Sequence, residues 1–277
     1  MSPPKMRPTW TLLSTLIVVE LLARPTLGQD SAGLLKEGKR VYITNCAVCH
    51  GKNGNGEGPG AAQLMVKPRD LRAGSFKFRS TPSGSLPRDE DLEATLVHGI
   101  RGTAMVPQRH LGNDERRAVI AYLKTFSGRF ATDRPRPPVE VPPPPPPTAD
   151  VIARGRQIYQ KAQCAECHGS GGRGDGPSAP TMKDGRGVPI AVPDLTRWPL
   201  KRGSEPDSLF YTITTGLNGT PMPSYSDALD PGDIWALVHY LESLTPHERR
   251  QPLDQLFPGE EMKGQEIEEA ARRASAR

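Results

Sequence analysis

All four cysteines of this 277-residue chain fall in two copies of one pentapeptide, Cys46-Ala47-Val48-Cys49-His50 and Cys164-Ala165-Glu166-Cys167-His168. Thiols at i and i+3 reach one edge of a porphyrin and add to its vinyl groups. The histidine that follows is thereby held over the ring to bind iron. Other uses of the pairs fit less well. A zinc ribbon would have to draw both pairs together across a stiff proline tract, and each pair is followed by His-Gly. A thioredoxin-like redox pair requires a βαβ setting that the sequence lacks. Plain disulfides leave the twin histidines unexplained. The motif therefore implies two covalently bound c-type haems, attached through Cys46, Cys49, Cys164 and Cys167 and ligated by His50 and His168.

The repeat extends beyond the pentapeptide. Gly38-Lys39-Arg40-Val41-Tyr42 answers Gly155-Arg156-Gln157-Ile158-Tyr159. After the histidines, GKNGNGEGP (51–59) matches GSGGRGDGP (169–177) at every glycine of the first copy and at its proline. Further on, Gly99-Ile100-Arg101-Gly102-Thr103-Ala104-Met105 answers Gly216-Leu217-Asn218-Gly219-Thr220-Pro221-Met222. The offset is 118 residues at the cysteines and 117 at these methionines, so the chain is a tandem duplication.

Between the copies, residues 134–147 read RPRPPVEVPPPPPP. Proline fixes φ and lacks the N–H, so this tract forms neither helix nor sheet. It is expected to adopt polyproline II and to act as a semi-rigid spacer, leaving the two domains few shared contacts. At the start, Lys5 and Arg7 precede an apolar run from Trp10 to Leu22, and Thr26-Leu27-Gly28 offers a cleavage point before Gln29. The run is short for ~30 Å of hydrocarbon and contains Glu20, which favours a cleaved signal peptide over an anchor. The expected organisation is a signal peptide at 1–28, a first domain at 29–130, a proline-rich linker at 131–149, a second domain at 150–247 and a charged tail at 248–277. The tail, rich in Glu, Arg and Ala, reads as a short helix or as plain disorder.

Composition bears on what fills the domains. Apolar residues make up 35% and aromatic ones 5%, while 28 glycines and 30 prolines demand much loop. Two cores this sparse need an interior filled by something other than protein. The formal charge of +5 falls to +3 once the three basic residues and one acidic residue of the leader are removed. The remaining basic residues form no stripe and have no aromatic platform beside them, so nucleic acid is not an expected partner.

Each copy has the outline of three helices. One runs up to the cysteine motif, at about 33–44 and 151–163. A second starts near Pro87-Arg88-Asp89 and Glu205-Pro206-Asp207 and ends at Gly99 and Gly216. A third follows Asn113-Asp114-Glu115 and Asp230-Pro231-Gly232-Asp233. Its apolar positions, Val119, Tyr122 and Leu123 in one copy and Ile234, Leu237, Tyr240 and Leu241 in the other, keep helical spacing.

With CAVCHG, CAECHG, the GxGxGP runs, the GTAM and GTPM segments and the closing helices in place, the chain resembles the class I cytochrome c family. The likeness covers about 32–127 and 151–246 and is closest to two-haem members. It implies an all-α fold: two tandem class I cytochrome c-like domains, each wrapped round one covalent haem and joined by the polyproline linker. The stretch from Phe76 to Leu92 looks like an insertion found in some members. The family places its second iron ligand, a methionine, in a loop before the last helix, which matches Met105 and Met222. The rival candidates for this iron position after the motifs are Met65, His98 and His110 in the first copy and Met182, His239 and His247 in the second. His98 and His239 have no histidine counterpart in the other copy, whereas His110 lies five residues from Met105. In the family, the carbonyl that orients the ligating histidine belongs to the proline after the motif, which Pro59 and Pro177 match. Arg69, Lys77, Arg79 and Arg101 are candidates for pairing with haem propionates.

A haem closed by histidine and methionine has no open position for substrate, and methionine favours the ferrous state relative to a second histidine. The expected function is one-electron transfer in the periplasm or an equivalent space, as a shuttle or as the cytochrome subunit of a respiratory redox complex. The partners are then a redox donor and acceptor protein, with a membrane respiratory complex as one candidate, and no catalytic residue is assigned. The rival reading is an enzyme resembling dihaem cytochrome c peroxidases, in which one iron is open.

Overall fold

The computed structural model describes residues 27–203 and 205–245, with side chains from residue 31; the signal-peptide call up to residue 26 and the tail call lie outside the described residues. The elements in chain order are α1 (Leu27–Asn45), α2 (Ala47–His50), α3 (Asp89–His98), α4 (Asn113–Lys124), α5 (Arg129–Thr132), α6 (Ala149–Lys161), α7 (Cys164–His168), α8 (Pro206–Thr215) and α9 (Pro231–Ser243). Among the described residues there is no strand, only an isolated bridge between Lys183 and Pro189. None of these helices is long and apolar enough to cross a membrane.

The helices start where local chemistry satisfies their free N–H groups. Asp230 accepts from Asp233 N at 2.8 Å, with Pro231 at the first position of α9. Asp91 and Glu115 reach back to the backbone N–H of Arg88 and Gly112 at the starts of α3 and α4. α3 and α8 end at Gly99 and Gly216, each with φ near 65°.

The two domains repeat one packing event. α1 crosses α4, and α6 crosses α9, at a glycine on the first helix of each pair. A Cβ on Gly38 would collide with the carbonyl oxygen of Ala118, and one on Gly155 with that of Ala236. The backbones touch because these two residues have no side chain. Around the first crossing lie Val41, Leu92, Leu96, Val119 and Leu123; around the second lie Ile158, Leu209, Ile213, Leu237 and Leu241.

The proline tract departs from the expected spacer. It lies as a strap over both domains. Arg136 N donates to Ser85 Oγ at 3.0 Å and Val139 N to the Ser80 carbonyl at 2.8 Å, which ties its first half to domain one. Its second half takes a bond from Trp235 Nε1 at the Pro142 carbonyl (2.8 Å) and faces His239 Nε2 at the Pro145 carbonyl (2.9 Å). The physical reason is a surplus of acceptors. Polyproline II makes no internal hydrogen bonds, so its carbonyls are free, and a buried indole or imidazole N–H needs one.

The domains also meet directly, contrary to the expectation of few shared contacts. The Phe76–Leu92 stretch, whose Arg79 and Thr81 are fully buried, reaches domain two. Arg79 Nη2 donates to the Thr215 carbonyl at 2.6 Å, Arg202 Nη2 returns a bond to the Arg79 carbonyl at 2.9 Å, and Gly84 N donates to Asn218 Oδ1.

Candidate haem-binding cavity

Each cysteine motif forms a short helix, α2 or α7, at the end of the long helix that the glycine crossing anchors. A tyrosine one turn earlier fixes the exit. Tyr42 Oη donates to the Gly51 carbonyl and Tyr159 Oη to the Gly169 carbonyl, both at 2.7 Å and both buried. Gly51 and Gly169 follow the histidines at φ 77° and 78°, a backbone region that strains other residues. The chain thus leaves each histidine in the same direction.

The motifs face a cavity of about 680 Å³ that runs continuously through both domains. It is lined by Cys46, Cys49 and His50 from one side and by Cys164, Cys167 and His168 from the other. The four cysteines are unpaired. Burial, and secondarily the neighbouring Cys49, pushes the Cys46 thiol up to about 11, and burial does the same for Cys164. These are protonated thiols at neutral pH, unlike a ready-made thiolate zinc site. Among the described residues no group of three or more His, Cys, Asp or Glu side chains is gathered to hold a metal ion.

His50 Nδ1 lies 3.2 Å from the Arg69 carbonyl. Burial lowers its pKa, against a smaller raising effect of that carbonyl, so the neutral ring donates from Nδ1 and keeps Nε2 as a lone-pair donor. The equivalent carbonyl in domain two belongs to Pro193, which raises the burial-lowered pKa of His168, yet His168 Nδ1 remains buried without a bond of hydrogen-bonding geometry. The carbonyls predicted for this task were those of Pro59 and Pro177. Both prolines are exposed and neither lines the cavity. The backbone around them turns back onto the cysteine helices instead: Gly58 N bonds the Cys49 carbonyl and Gly60 N that of Val48, with Gly176 N to Cys167 and Ser178 N to Glu166 repeating the pattern. These bonds satisfy the free carbonyls at the ends of α2 and α7. The orienting carbonyls come from a later loop, latched by Leu71 N to the Gly54 carbonyl and Leu195 N to the Gly172 carbonyl. The recurrence of Asp-Leu at 70–71 and 194–195 was the available signal.

Met105 and Met222 sit on one loop form built twice. Ile100 N donates to the Met105 carbonyl and Leu217 N to that of Met222, at 2.8 and 3.1 Å. Inside each loop a threonine hydroxyl, Thr103 or Thr220, donates to the Ile100 or Leu217 carbonyl and accepts from the methionine N–H. Both methionines line the cavity and pack against the core of their own domain. Of the rival ligands, Met65 is 99% exposed and Met182 places its sulfur 4.0 Å from Cys167 Sγ, beside the attachment edge. His98 and His110 are exposed, with His110 Nε2 3.0 Å from Asn45 Oδ1, and neither lines the cavity. His239 lies between the Pro145 carbonyl and Glu242. His247 lies outside the described residues.

Two helical domains that share a cavity walled by paired thiols, a neutral histidine and a methionine loop define a tandem c-type cytochrome. Comparison with known proteins agrees. Residues 35–127 match the family described as cytochrome c, and residues 150–241 match cytochrome c oxidase, cbb3-type, subunit III. A chain of the Kuenenia stuttgartiensis reducing HAO-like protein complex Kustc0457/Kustc0458 is 44% identical, with a TM-score of 0.75, covering 76% of this chain and 96% of that one. The cbb3-type cytochrome c oxidase subunit CcoP of Azospirillum sp. (strain B510) is 27% identical over 224 residues, 78% of this chain and 64% of that protein. Subunit FixP of Bradyrhizobium sp. (strain ORS 278) is 28% identical over 218 residues, 75% and 60%. The chain spans less than two thirds of the length of these oxidase subunits. It belongs to the cytochrome c family, as a tandem two-haem member, and carries two covalently bound c-type haems.

Proposed function

We propose that this protein transfers single electrons through two haems whose irons are closed by His50 and Met105 in domain one and by His168 and Met222 in domain two. Bound iron supplies one-electron exchange between ferrous and ferric states. The protein's own residues hold it to that task. Burial keeps His50 neutral, the Arg69 carbonyl orients it, and the threonine-braced loop presents methionine sulfur from a fixed backbone. Cys46, Cys49, Cys164 and Cys167 are the attachment residues. The observation that carries this reading is the recurrence in both domains of the same braced methionine loop on the same cavity. A dihaem peroxidase needs one open iron, and neither domain has lost this loop.

The site of action follows from the haem chemistry and from the expected leader at 1–28: an extracytoplasmic space such as the periplasm. The relatives named above are subunits of an oxidase and a chain of a multiprotein complex. We take this chain likewise to work against a redox partner in a respiratory assembly, donating to it or accepting from it. Its domains are read as 29–130 and 150–247.

Coulometric titration of the holoprotein tests the reading. Reversible uptake of two electrons per chain, with no consumption of hydrogen peroxide by the reduced protein, is the expected result. Peroxide turnover would replace this function by the enzymatic one.

A further inference from the structure

The cavity wall is strongly unbalanced in charge. Its lining includes Lys67, Arg69, Lys77, Arg186, Lys201 and Arg202, and among the described residues Asp184 is its one lining carboxylate. Asp184 is already engaged by Arg186 at 3.4 Å and by the backbone N–H groups of Arg186 and Val188. Lys67 is spent on the carbonyls of Ala61 and Ala62. Among the described residues, Arg202 Nη1 is buried without a hydrogen-bond partner. Burial, with Arg69 and Lys201 adding repulsion, pulls Lys77 down to about 8. Arg69, Lys77, Lys201 and Arg202 are half-buried and Arg186 is exposed. Cations drawn out of water are costly without anions, so this cluster suits more negative charge than the described residues supply.

The cations also cross between domains. Arg186 belongs to domain two, yet its Nη2 donates to the Pro68 carbonyl at 3.1 Å, next to the carbonyl that orients His50. A Cβ on Gly56 of domain one would lie 3.2 Å from Arg186 Nη1. Arg69 of domain one reaches the other way: a Cβ on Gly219, in the methionine loop of domain two, would lie 2.6 Å from its Nη1. Each arginine rests on a loop that serves the other domain's haem.

We propose that Arg69, Lys77, Arg186, Lys201 and Arg202 form one anion site, shared between the domains, that takes propionate groups of both haems. The inference rests on the two-haem reading above and adds to it that the two redox centres form one electrostatic unit. A cation near iron disfavours the ferric form, which carries one more positive charge. Removing a shared cation therefore lowers both reduction potentials.

The test is a spectroelectrochemical titration of holoprotein in which intact mass first establishes two haems per chain. Arg186→Gln is expected to lower both potentials, Arg186→Lys to restore them, and Arg69→Gln to lower both from the other side. Lys201→Gln, whose ammonium makes no ion pair among the described residues, gives the same downward shift at both haems and serves if the arginine variants fail to fold. Shifts confined to the haem of the substituted residue's own domain, or no shift, would overturn the shared site while leaving the electron-transfer reading intact. A mass with fewer than two haems would overturn that reading and this inference with it.

Discussion

Arg79 Nη2 donates to the carbonyl of Thr215 at 2.6 Å, from a side chain that is fully buried, and so joins the first domain to the end of a helix in the second. The same guanidinium holds the Phe76 carbonyl at 3.3 Å, while its own backbone carbonyl accepts from Arg202. Burial, with Arg202 adding repulsion, pulls its pKa to about 10, which leaves it charged at neutral pH. Arg79→Ala would strip several buried carbonyls of their donor and leave a cavity. Its cost is about 2–4 kcal/mol, read as a lower midpoint in denaturant unfolding of the holoprotein. An unchanged midpoint would show that the domains do not depend on this contact.

The helix crossings give a second prediction. Gly38→Ala and Gly155→Ala each place a methyl group on a backbone carbonyl of the facing helix. The helices must part, which costs about 1–3 kcal/mol per site, as for overpacked cores generally. Thermal melts followed by haem absorbance measure it. A helix-propensity gain, with Ala more stable than Gly, is the opposite outcome and would contradict the close approach.

The proline strap gives a third. Trp235→Phe keeps a ring in the core but removes the N–H held by the Pro142 carbonyl. The expected loss is about 1 kcal/mol. Cleavage within 139–147 by a proline-tolerant protease should quicken in this variant and further in Trp235→Phe/His239→Leu. A strap cut at the wild-type rate in both variants would return it to the role of a free spacer.

These contacts mark the limit of what the sequence disclosed. The pentapeptides, the Gly38/Tyr42 and Gly155/Tyr159 pairs and the caps at Asp230 and Asp91 are local or duplicated, so pattern alone revealed the helices and the attachment residues. The Arg69 carbonyl that orients His50, and its Pro193 counterpart near His168, escaped, because a carbonyl belongs to every residue and its aim depends on how a loop is latched. The sequence marks Arg79 only as a candidate for haem propionates and does not single out Arg186 or Arg202, because their partners are backbone atoms more than a hundred residues away. The strap escaped for a related reason: proline composition sets the local conformation of the tract and says nothing of which buried N–H groups will seek its carbonyls.

Methionine ligation yields a fourth prediction. Met105→Ala and Met222→Ala should each open one iron, lower its potential and raise its affinity for cyanide. Because the two sites open onto one cationic cavity, the untouched haem should also shift, by less than the mutated one. Cyanide titration and potentiometry of both variants measure this. A variant with unaltered cyanide affinity would exclude its methionine as a ligand.

The most direct test of the central claim is the ferric spectrum of the wild-type holoprotein, recorded as absorbance and electron paramagnetic resonance on one sample. Two six-coordinate low-spin irons, with the methionine sulfur–iron absorption band accounting for both, is the predicted result. High-spin iron in either domain, or a bis-histidine signature in place of one methionine band, would contradict it.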